Sequence, residues 1–113
     1  MKNMLCGAAA MAALCTSLSV AAAGDAAAGR VKANTCMGCH GIPNYSNAYP
    51  TYRVPKLGGQ KPEYIVAALK AYKRGERDFA TMRAIVADLT DKDMEDIAAY
   101  YAAQAITTAE AKK

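Results

Sequence analysis

The pentapeptide Cys-Met-Gly-Cys-His at residues 36–40 constrains this chain more than any other segment. Cys-x-x-Cys-His is the pattern at which haem c is attached to a protein. Its two thiols are three positions apart and lie roughly 5 to 6 Å from each other on one turn of helix, so both can bond to the same flat ligand. The pattern therefore predicts thioether bonds from Cys36 and Cys39 to a haem, and an iron–nitrogen bond from His40.

Two other kinds of site also contain Cys-x-x-Cys, namely a dithiol redox pair and half of a zinc site. A zinc site needs about four ligands. His40 is the only histidine of the 113 residues, and the chain after residue 23 has no cysteine besides Cys36 and Cys39. The segment before Cys36 is rich in alanine and does not read as a β-strand. The available ligands therefore favour haem c, with its iron, as the cofactor.

The first 23 residues have the composition of a secretory signal peptide. Lys2 precedes an apolar stretch from Met4 to Ala23, whose last three alanines fit the small-x-small pattern of a cleavage site. We therefore expect a signal peptide at residues 1–23, one mature domain at residues 24–113, and a periplasmic protein without a membrane anchor after cleavage. The alternative is an uncleaved N-terminal anchor, because the stretch approaches the length that spans a bilayer.

Capping residues and hydrophobic periodicity predict three main helices. Their expected bounds are Asp25 to about Cys36, Pro62 to Gly75, and Thr90 to about Gln104. Residues at helical spacing in the second and third helices should be buried: Ile65, Ala68, Leu69, Tyr72, Met94, Ile97, Ala98 and Tyr101.

The rest of the domain should consist of loops and short helices. A short helical run is expected from Arg83 to Leu89, and the segment from Gly41 to Lys61, with its three prolines, should be loop. No segment reads as a strand, so the predicted fold class is all-α.

Gly29 lies inside the first helix at a local cost of about 1 kcal/mol, which predicts close contact with another backbone or an aromatic ring. A domain of 90 residues has a small apolar core, so a bound haem would add to its stability.

No second histidine exists, so the soft donors that remain for the other side of the iron are methionine sulfurs. The methionines after residue 24 are Met37, Met82 and Met94. Met37 lies between the attachment cysteines and cannot reach the opposite face, whereas Met94 belongs to the inner stripe of the last helix, where methionine usually fills a gap. Met82, expected in a loop, is the candidate distal ligand, and a core methionine is the alternative. Methionine opposite histidine raises the reduction potential of a haem.

Charge is distributed unevenly. The region from Arg53 to Arg83 has a net charge of +5, and the chain after it has a net charge of −3. This pattern is consistent with a face on which redox partner proteins dock, and equally with solvated helix faces. No recognisable nucleic-acid-binding motif accompanies the basic residues, so we expect no nucleic acid partner.

Together these motifs resemble the class I c-type cytochromes, most closely the small bacterial single-haem kind that is exported to the periplasm. The resemblance covers nearly all of the segment from Gly24 to Gln104. The motifs that carry it are the Gly29 helix leading into Cys36–Gly41, then Pro55–Gln60, Tyr64, Gly75–Arg77, Met82–Val86 and Asp96–Tyr101. The Tyr-rich segment from Gly41 to Arg53 departs from the family pattern.

The resemblance implies the small cytochrome c fold, wrapped around one covalent haem. It implies that Cys36 and Cys39 form the thioethers, that His40 is the proximal ligand and that Met82 is the distal ligand. It further implies that the carbonyl of Pro55 accepts a hydrogen bond from the other ring nitrogen of His40. In the family, the glycine of the first helix packs against an aromatic residue of the last, here Tyr100 or Tyr101.

An iron with both axial positions filled leaves no place for a substrate. The expected function is therefore a monomeric periplasmic carrier that passes one electron between respiratory redox partners and is not an enzyme. Two alternatives stay open. In the first, Met82 does not bind the iron, and the open site binds a gas or a peroxide. In the second, the chain is a haem c subunit of a larger oxidoreductase complex.

Overall fold

The computed structural model describes residues 24–104, which form five α-helices and one small antiparallel sheet. The helices are α1 (Ala26–Lys32), α2 (Asn34–His40), α3 (Pro62–Arg74), α4 (Ala80–Val86) and α5 (Asp91–Ala102), and the strands are β1 (Ser46–Asn47) and β2 (Tyr52–Arg53). The predicted all-α class is confirmed, and the expected signal peptide at 1–23 lies outside the described residues. Within the described part, no helix has the length and apolar character needed to cross a membrane.

The prediction that no strand is present was wrong for β1 and β2. These strands pair antiparallel, with Ser46 opposite Arg53 and Asn47 opposite Tyr52. The side-chain amide of Asn47 donates to the carbonyls of Tyr49 and Pro50 across the connecting turn, at 3.3 and 3.4 Å. Two residues are too few to show the alternating pattern of a strand, which is why the sequence did not reveal this hairpin.

The first predicted helix is divided into two. The Asp25 side chain caps α1 by accepting from the backbone N–H groups of Ala27 (2.8 Å) and Ala28 (3.2 Å). The chain turns at Ala33, which is fully buried, and continues as α2. Helical structure therefore extends past the expected end near Cys36, and α2 carries the complete Cys-x-x-Cys-His motif.

The terminal helices α1 and α5 pack closely, and Gly29 lies at their contact. A Cβ atom built on Gly29 would lie 1.9 Å from the carbonyl oxygen of Asp96 and 3.0 Å from the Cβ of Tyr100. The predicted close contact is confirmed, and its partners are the Asp96 backbone and Tyr100 rather than Tyr101. Only glycine allows the two helices to approach this far.

Helices α3 and α5 supply most of the core and have the predicted termini. α3 ends at Arg74 and is capped by Gly75, which has a φ of +78° in the left-handed region, and Thr90 and Asp93 form a reciprocal capping box at the start of α5. Ala68 and Tyr72 are half-buried, whereas six of the predicted stripe residues are buried. The buried apolar residues of the described part are Ala33, Ile65, Leu69, Val86, Met94, Ile97, Ala98 and Tyr101.

Helix α4 begins earlier than the sequence indicated. We expected a helical run from Arg83 to Leu89, but the helix starts at Ala80 and ends at Val86. Alanine is a strong helix former, and the carbonyl of Phe79 accepts from the Arg83 N–H at 3.0 Å, which closes the first turn. Met82 therefore lies within the first turn of α4 and not in a loop.

Candidate haem site

The two attachment cysteines lie on α2, three positions apart. Cys36 is half-buried and packs against the core, whereas Cys39 is exposed. Burial raises the pKa of the Cys36 thiol. Burial in apolar surroundings raises a thiol pKa, whereas the reactive thiol of a redox pair has a lowered one, so the setting of Cys36 is not that of a reactive thiol.

The imidazole of His40 is fixed by one hydrogen bond to the loop that follows β2. Its Nδ1 lies 2.7 Å from the carbonyl oxygen of Pro55. A carbonyl can only accept, so Nδ1 carries the hydrogen and donates it, and the lone pair of Nε2 is left for a metal. This is the contact that the resemblance implied for Pro55, and it is the usual way in which a ligating imidazole is oriented.

The three methionines have different environments. The Tyr100 hydroxyl donates to the sulfur of Met37 at 3.3 Å, which directs this side chain toward α5. Met94 has no exposed surface and belongs to the core. Met82 is half-buried on α4 and packs against the same core as Cys36. Of the three, Met82 alone combines partial exposure with no competing partner for its sulfur among the hydrogen bonds of the described residues.

The residues at this site fit a haem better than a zinc ion. No group of three or more histidine, cysteine, aspartate or glutamate side chains that could hold a metal ion exists between residues 24 and 104. The donors that are present are two thiols, one imidazole nitrogen and one thioether sulfur, which match the attachment and axial ligands of a haem. Cys36, on the attachment helix, packs against a core of aliphatic and aromatic side chains, the kind of surface that an apolar porphyrin requires.

The Tyr101 hydroxyl is a further polar group beside this site. Tyr101 is 1% exposed, and its hydroxyl has no hydrogen-bond partner in the described part of the chain. Burial raises the pKa of Tyr101, so the phenol stays protonated. A buried hydroxyl usually has a partner, and a bound group next to Cys36 would be in a position to supply one.

Comparison with known proteins decides between the interpretations of the motif. The family model for cytochrome c matches residues 26–103, which is most of the chain and all of α1 to α5. The chain belongs to the cytochrome c family. Its cofactor is therefore covalently bound haem c with its iron, and its chemistry is electron transfer by that haem.

Several bacterial cytochromes are similar to this cytochrome. Cytochrome c-554(548) of Halomonas halodenitrificans is 45% identical over 85 residues, which cover 73% of this chain and 99% of the relative. Cytochrome c4 of Pseudomonas aeruginosa is 43% identical over 83 residues, or 74% of this chain and 40% of the relative. The cytochrome subunit of sulfide dehydrogenase of Chlorobaculum tepidum is 32% identical over 73 residues, or 65% of this chain and 63% of the relative. The chain thus spans about two fifths of the matched cytochrome c4 but nearly all of cytochrome c-554(548).

One aromatic contact next to the helix of Met82 could not be predicted from the sequence. The rings of Tyr52 and Phe79 meet edge to face, with centroids 5.0 Å apart and planes at 84°. Phe79 is the N-cap residue of α4, the helix that carries Met82. The two aromatic residues are far apart in the sequence and belong to different segments, so no local periodicity could pair them.

Proposed function

We propose that this cytochrome carries one electron at a time between redox partner proteins in the periplasm, with His40 and Met82 as the axial ligands of its iron. The observation that carries the proposal is the different placement of the methionines. Met37 is hydrogen-bonded to Tyr100 and Met94 is enclosed in the core, which leaves Met82 as the sulfur available to the haem. A closed pair of axial ligands favours electron transfer over substrate chemistry.

Each residue of the site has a distinct part in this function. The haem, when bound, supplies the centre that gains and loses the electron. Cys36 and Cys39 hold it covalently, so it stays with the chain in both oxidation states. The hydrogen bond to Pro55 fixes the ring of His40 and makes its Nε2 a stronger donor. The thioether of Met82 favours the reduced iron and therefore raises the reduction potential.

Absence of a substrate position is the reason that we propose a carrier and not an enzyme. If His40 and Met82 both hold the iron, an outside ligand would have to displace the methionine sulfur. The open-site alternative, a protein that binds a gas or a peroxide, requires that Met82 does not bind. Whether Met82 binds the iron therefore distinguishes an electron carrier from a protein that binds a gas or a peroxide.

The expected site of partner docking is the basic region from Arg53 to Arg83. Several of its cations form local ion pairs, including Arg74 with Glu76 at 2.6 Å and Lys70 with Asp91 at 3.0 Å. Glu76 belongs to the region and is already counted in its net charge of +5, whereas Asp91 lies outside it and offsets one further charge. The region therefore keeps an excess of positive charge, which would attract an acidic partner and accelerate a short-lived encounter.

The expected signal peptide at residues 1–23 supports export to the periplasm, where we propose that the chain works as a monomer. The similarity to a cytochrome subunit of sulfide dehydrogenase favours one alternative, in which the chain is the haem c subunit of a larger oxidoreductase complex. Native mass measurement of periplasmic extract separates these arrangements. A carrier would have the mass of one mature chain with one haem, whereas a subunit would be found in a heavier assembly.

The proposed ligation is tested by absorption spectroscopy of ferric holoprotein. We expect a sulfur-to-iron charge-transfer band in the wild type that disappears in Met82→Ala. Met94→Leu is the matched control, because this nearly volume-conserving change removes the core sulfur at a cost below about 1.5 kcal/mol and should leave the band intact. A wild-type spectrum that lacks the band, or a band that survives in Met82→Ala, would rule out Met82 as the ligand.

A further inference from the structure

The segment from Tyr52 to Pro55 contacts both sides of the candidate haem site. At its end, the carbonyl of Pro55 accepts the hydrogen bond of His40 at 2.7 Å. At its start, the ring of Tyr52 meets the ring of Phe79, which directly precedes the helix that carries Met82. Four consecutive residues thus link the proximal ligand to the segment that presents the proposed distal ligand.

We infer that Tyr52 is a positioning residue for the distal ligand: its ring holds Phe79, and through it the first turn of α4, so that the sulfur of Met82 stays at the iron. The inference rests on the proposed role of Met82. It also gives the Tyr-rich segment from Gly41 to Arg53, which departs from the family pattern, a structural role in supporting α4.

Helix α4 needs an external support at its start. It has only seven residues and no side-chain hydrogen bond at its N-cap, and a helix of this length is not stable by itself. Val86 anchors its last turn, because this side chain has no exposed surface. Its first turn is closed by the hydrogen bond from the Arg83 N–H to the Phe79 carbonyl, so any displacement of Phe79 affects the turn that contains Met82.

Tyr52 is itself held firmly enough to act as that support. It pairs with Asn47 in the small sheet, and the N–H of Val54 donates to the carbonyl of Tyr45 at 2.9 Å, which extends the pairing beyond β2. Tyr52 and Phe79 are both half-buried, so their contact is partly shielded from water. Aromatic rings that meet edge to face attract each other beyond the effect of burial alone.

Competition by imidazole tests the inference, because imidazole can bind ferric iron only after the distal ligand has left. We expect Tyr52→Ala holoprotein to bind imidazole about fivefold more tightly than the wild type, since loosening of α4 makes loss of the sulfur easier. Tyr52→Phe is the matched control, because it keeps the ring and removes only the hydroxyl. It should bind imidazole within about twofold of the wild type.

Amide hydrogen exchange reports on the stability of α4 independently of the haem. The Arg83 amide, which donates to the Phe79 carbonyl, should exchange its hydrogen faster in Tyr52→Ala than in the wild type. If Tyr52→Ala does not fold, Phe79→Leu weakens the same ring contact while it keeps an apolar side chain, and the same two shifts are expected. Wild-type imidazole affinity and unchanged exchange in these variants would overturn the inference.

Met82→Ala separates failure of the inference from failure of the proposed function. If Met82→Ala binds imidazole no more tightly than the wild type, Met82 is not the ligand and both proposals fail. If Met82→Ala binds imidazole much more tightly while Tyr52→Ala matches the wild type, the ligand assignment stands and only the positioning role of Tyr52 is overturned.

Discussion

Gly29 is the residue on which the packing of the terminal helices depends most directly. A methyl group there would overlap the Asp96 carbonyl, and a backbone atom cannot rotate away as a flexible side chain can. We predict that Gly29→Ala destabilises the holoprotein by about 3 kcal/mol, at the upper end of the range for overpacking. Chemical denaturation followed by circular dichroism would measure this loss.

Arg30→Ala is the matched control for that prediction. Arg30 neighbours Gly29 on α1 but is exposed, so its replacement should change the free energy of unfolding by no more than about 0.5 kcal/mol. Equal stabilities of Gly29→Ala and Arg30→Ala would show that α1 and α5 are not held at the distance described here.

Residues of the site differ in how readily sequence identifies them. Cys36, Cys39 and His40 belong to one contiguous motif whose chemistry is specific, so the sequence predicts them directly. Met82 can be predicted only by elimination, because 42 residues separate it from His40. Pro55 acts through its carbonyl oxygen, which every residue type has, so only the resemblance to a family pointed to it.

The buried carboxylate of Asp96 connects the segment of α1 to α5. Asp96, 2% exposed, accepts from the Asp25 backbone N–H at 2.7 Å and from the ammonium groups of Lys32 at 2.7 Å and Lys92. Lys32 also pairs with Asp93 at 2.7 Å. One lysine of α1 therefore bridges two carboxylates of α5 next to the Gly29 contact, which fixes how the two helices cross.

This cluster predicts a dependence of stability on pH. Hydrogen bonds from Lys32 are the main cause that holds the pKa values of Asp93 and Asp96 well below the usual range. A carboxylate whose pKa is lowered by folding stabilises the folded state above its unfolded pKa, and this stabilisation is lost as pH falls below about 4. We expect the thermal midpoint of the wild type to fall more steeply below that pH than the midpoint of Lys32→Met.

Lys70→Met is the control for the pH experiment. It removes a lysine whose partner Asp91 is 75% exposed, and exposed pairs contribute little to stability. Its thermal midpoint should follow that of the wild type in parallel at all pH values. Parallel curves for Lys32→Met as well would show that the bridge between α1 and α5 does not contribute to acid stability.

Long elements could be predicted from the sequence and short ones could not. α3 and α5 have capping residues and a full buried stripe, so their bounds were predicted to within about two residues. α4 lacks a capping side chain, and its first turn depends on Phe79 and the ring of Tyr52, which belongs to another segment. The two-residue strands depend on a turn and not on periodicity, so they were missed.

The uneven charge of the whole molecule predicts how it meets its partners. If the basic region from Arg53 to Arg83 is the docking face, oxidation by the anionic probe ferricyanide should slow as ionic strength rises. We predict that Lys61→Glu lowers the second-order rate at low salt by about threefold. Stopped-flow absorption of reduced holoprotein would measure these rates.

Arg30→Glu provides the same change of charge outside the basic region. This variant alters the net charge but not the proposed docking face. Its rate of oxidation by ferricyanide should therefore fall by less than that of Lys61→Glu. A rate that does not depend on salt, or equal effects of the two variants, would remove the docking role of this region.

At the scale of the whole molecule, the sequence identified the family and the fold class, since both follow from a specific motif and clear helical patterns. Export, the mature bounds at 24–113 and the monomeric state stay predictions, because they depend on segments and encounters beyond the described domain. The identity of a redox partner depends on the surface of that partner, which no pattern within this chain encodes.

We propose that His40 and Met82 together make this cytochrome a closed carrier of single electrons. A potentiometric titration of the holoprotein, followed by absorption, tests it most directly. We predict a one-electron transition whose ferric form shows the sulfur-to-iron band, and a fall in midpoint potential on the order of 0.1 V in Met82→Ala. A ferric wild type without that band, together with an unchanged potential in Met82→Ala, would contradict ligation of the iron by Met82.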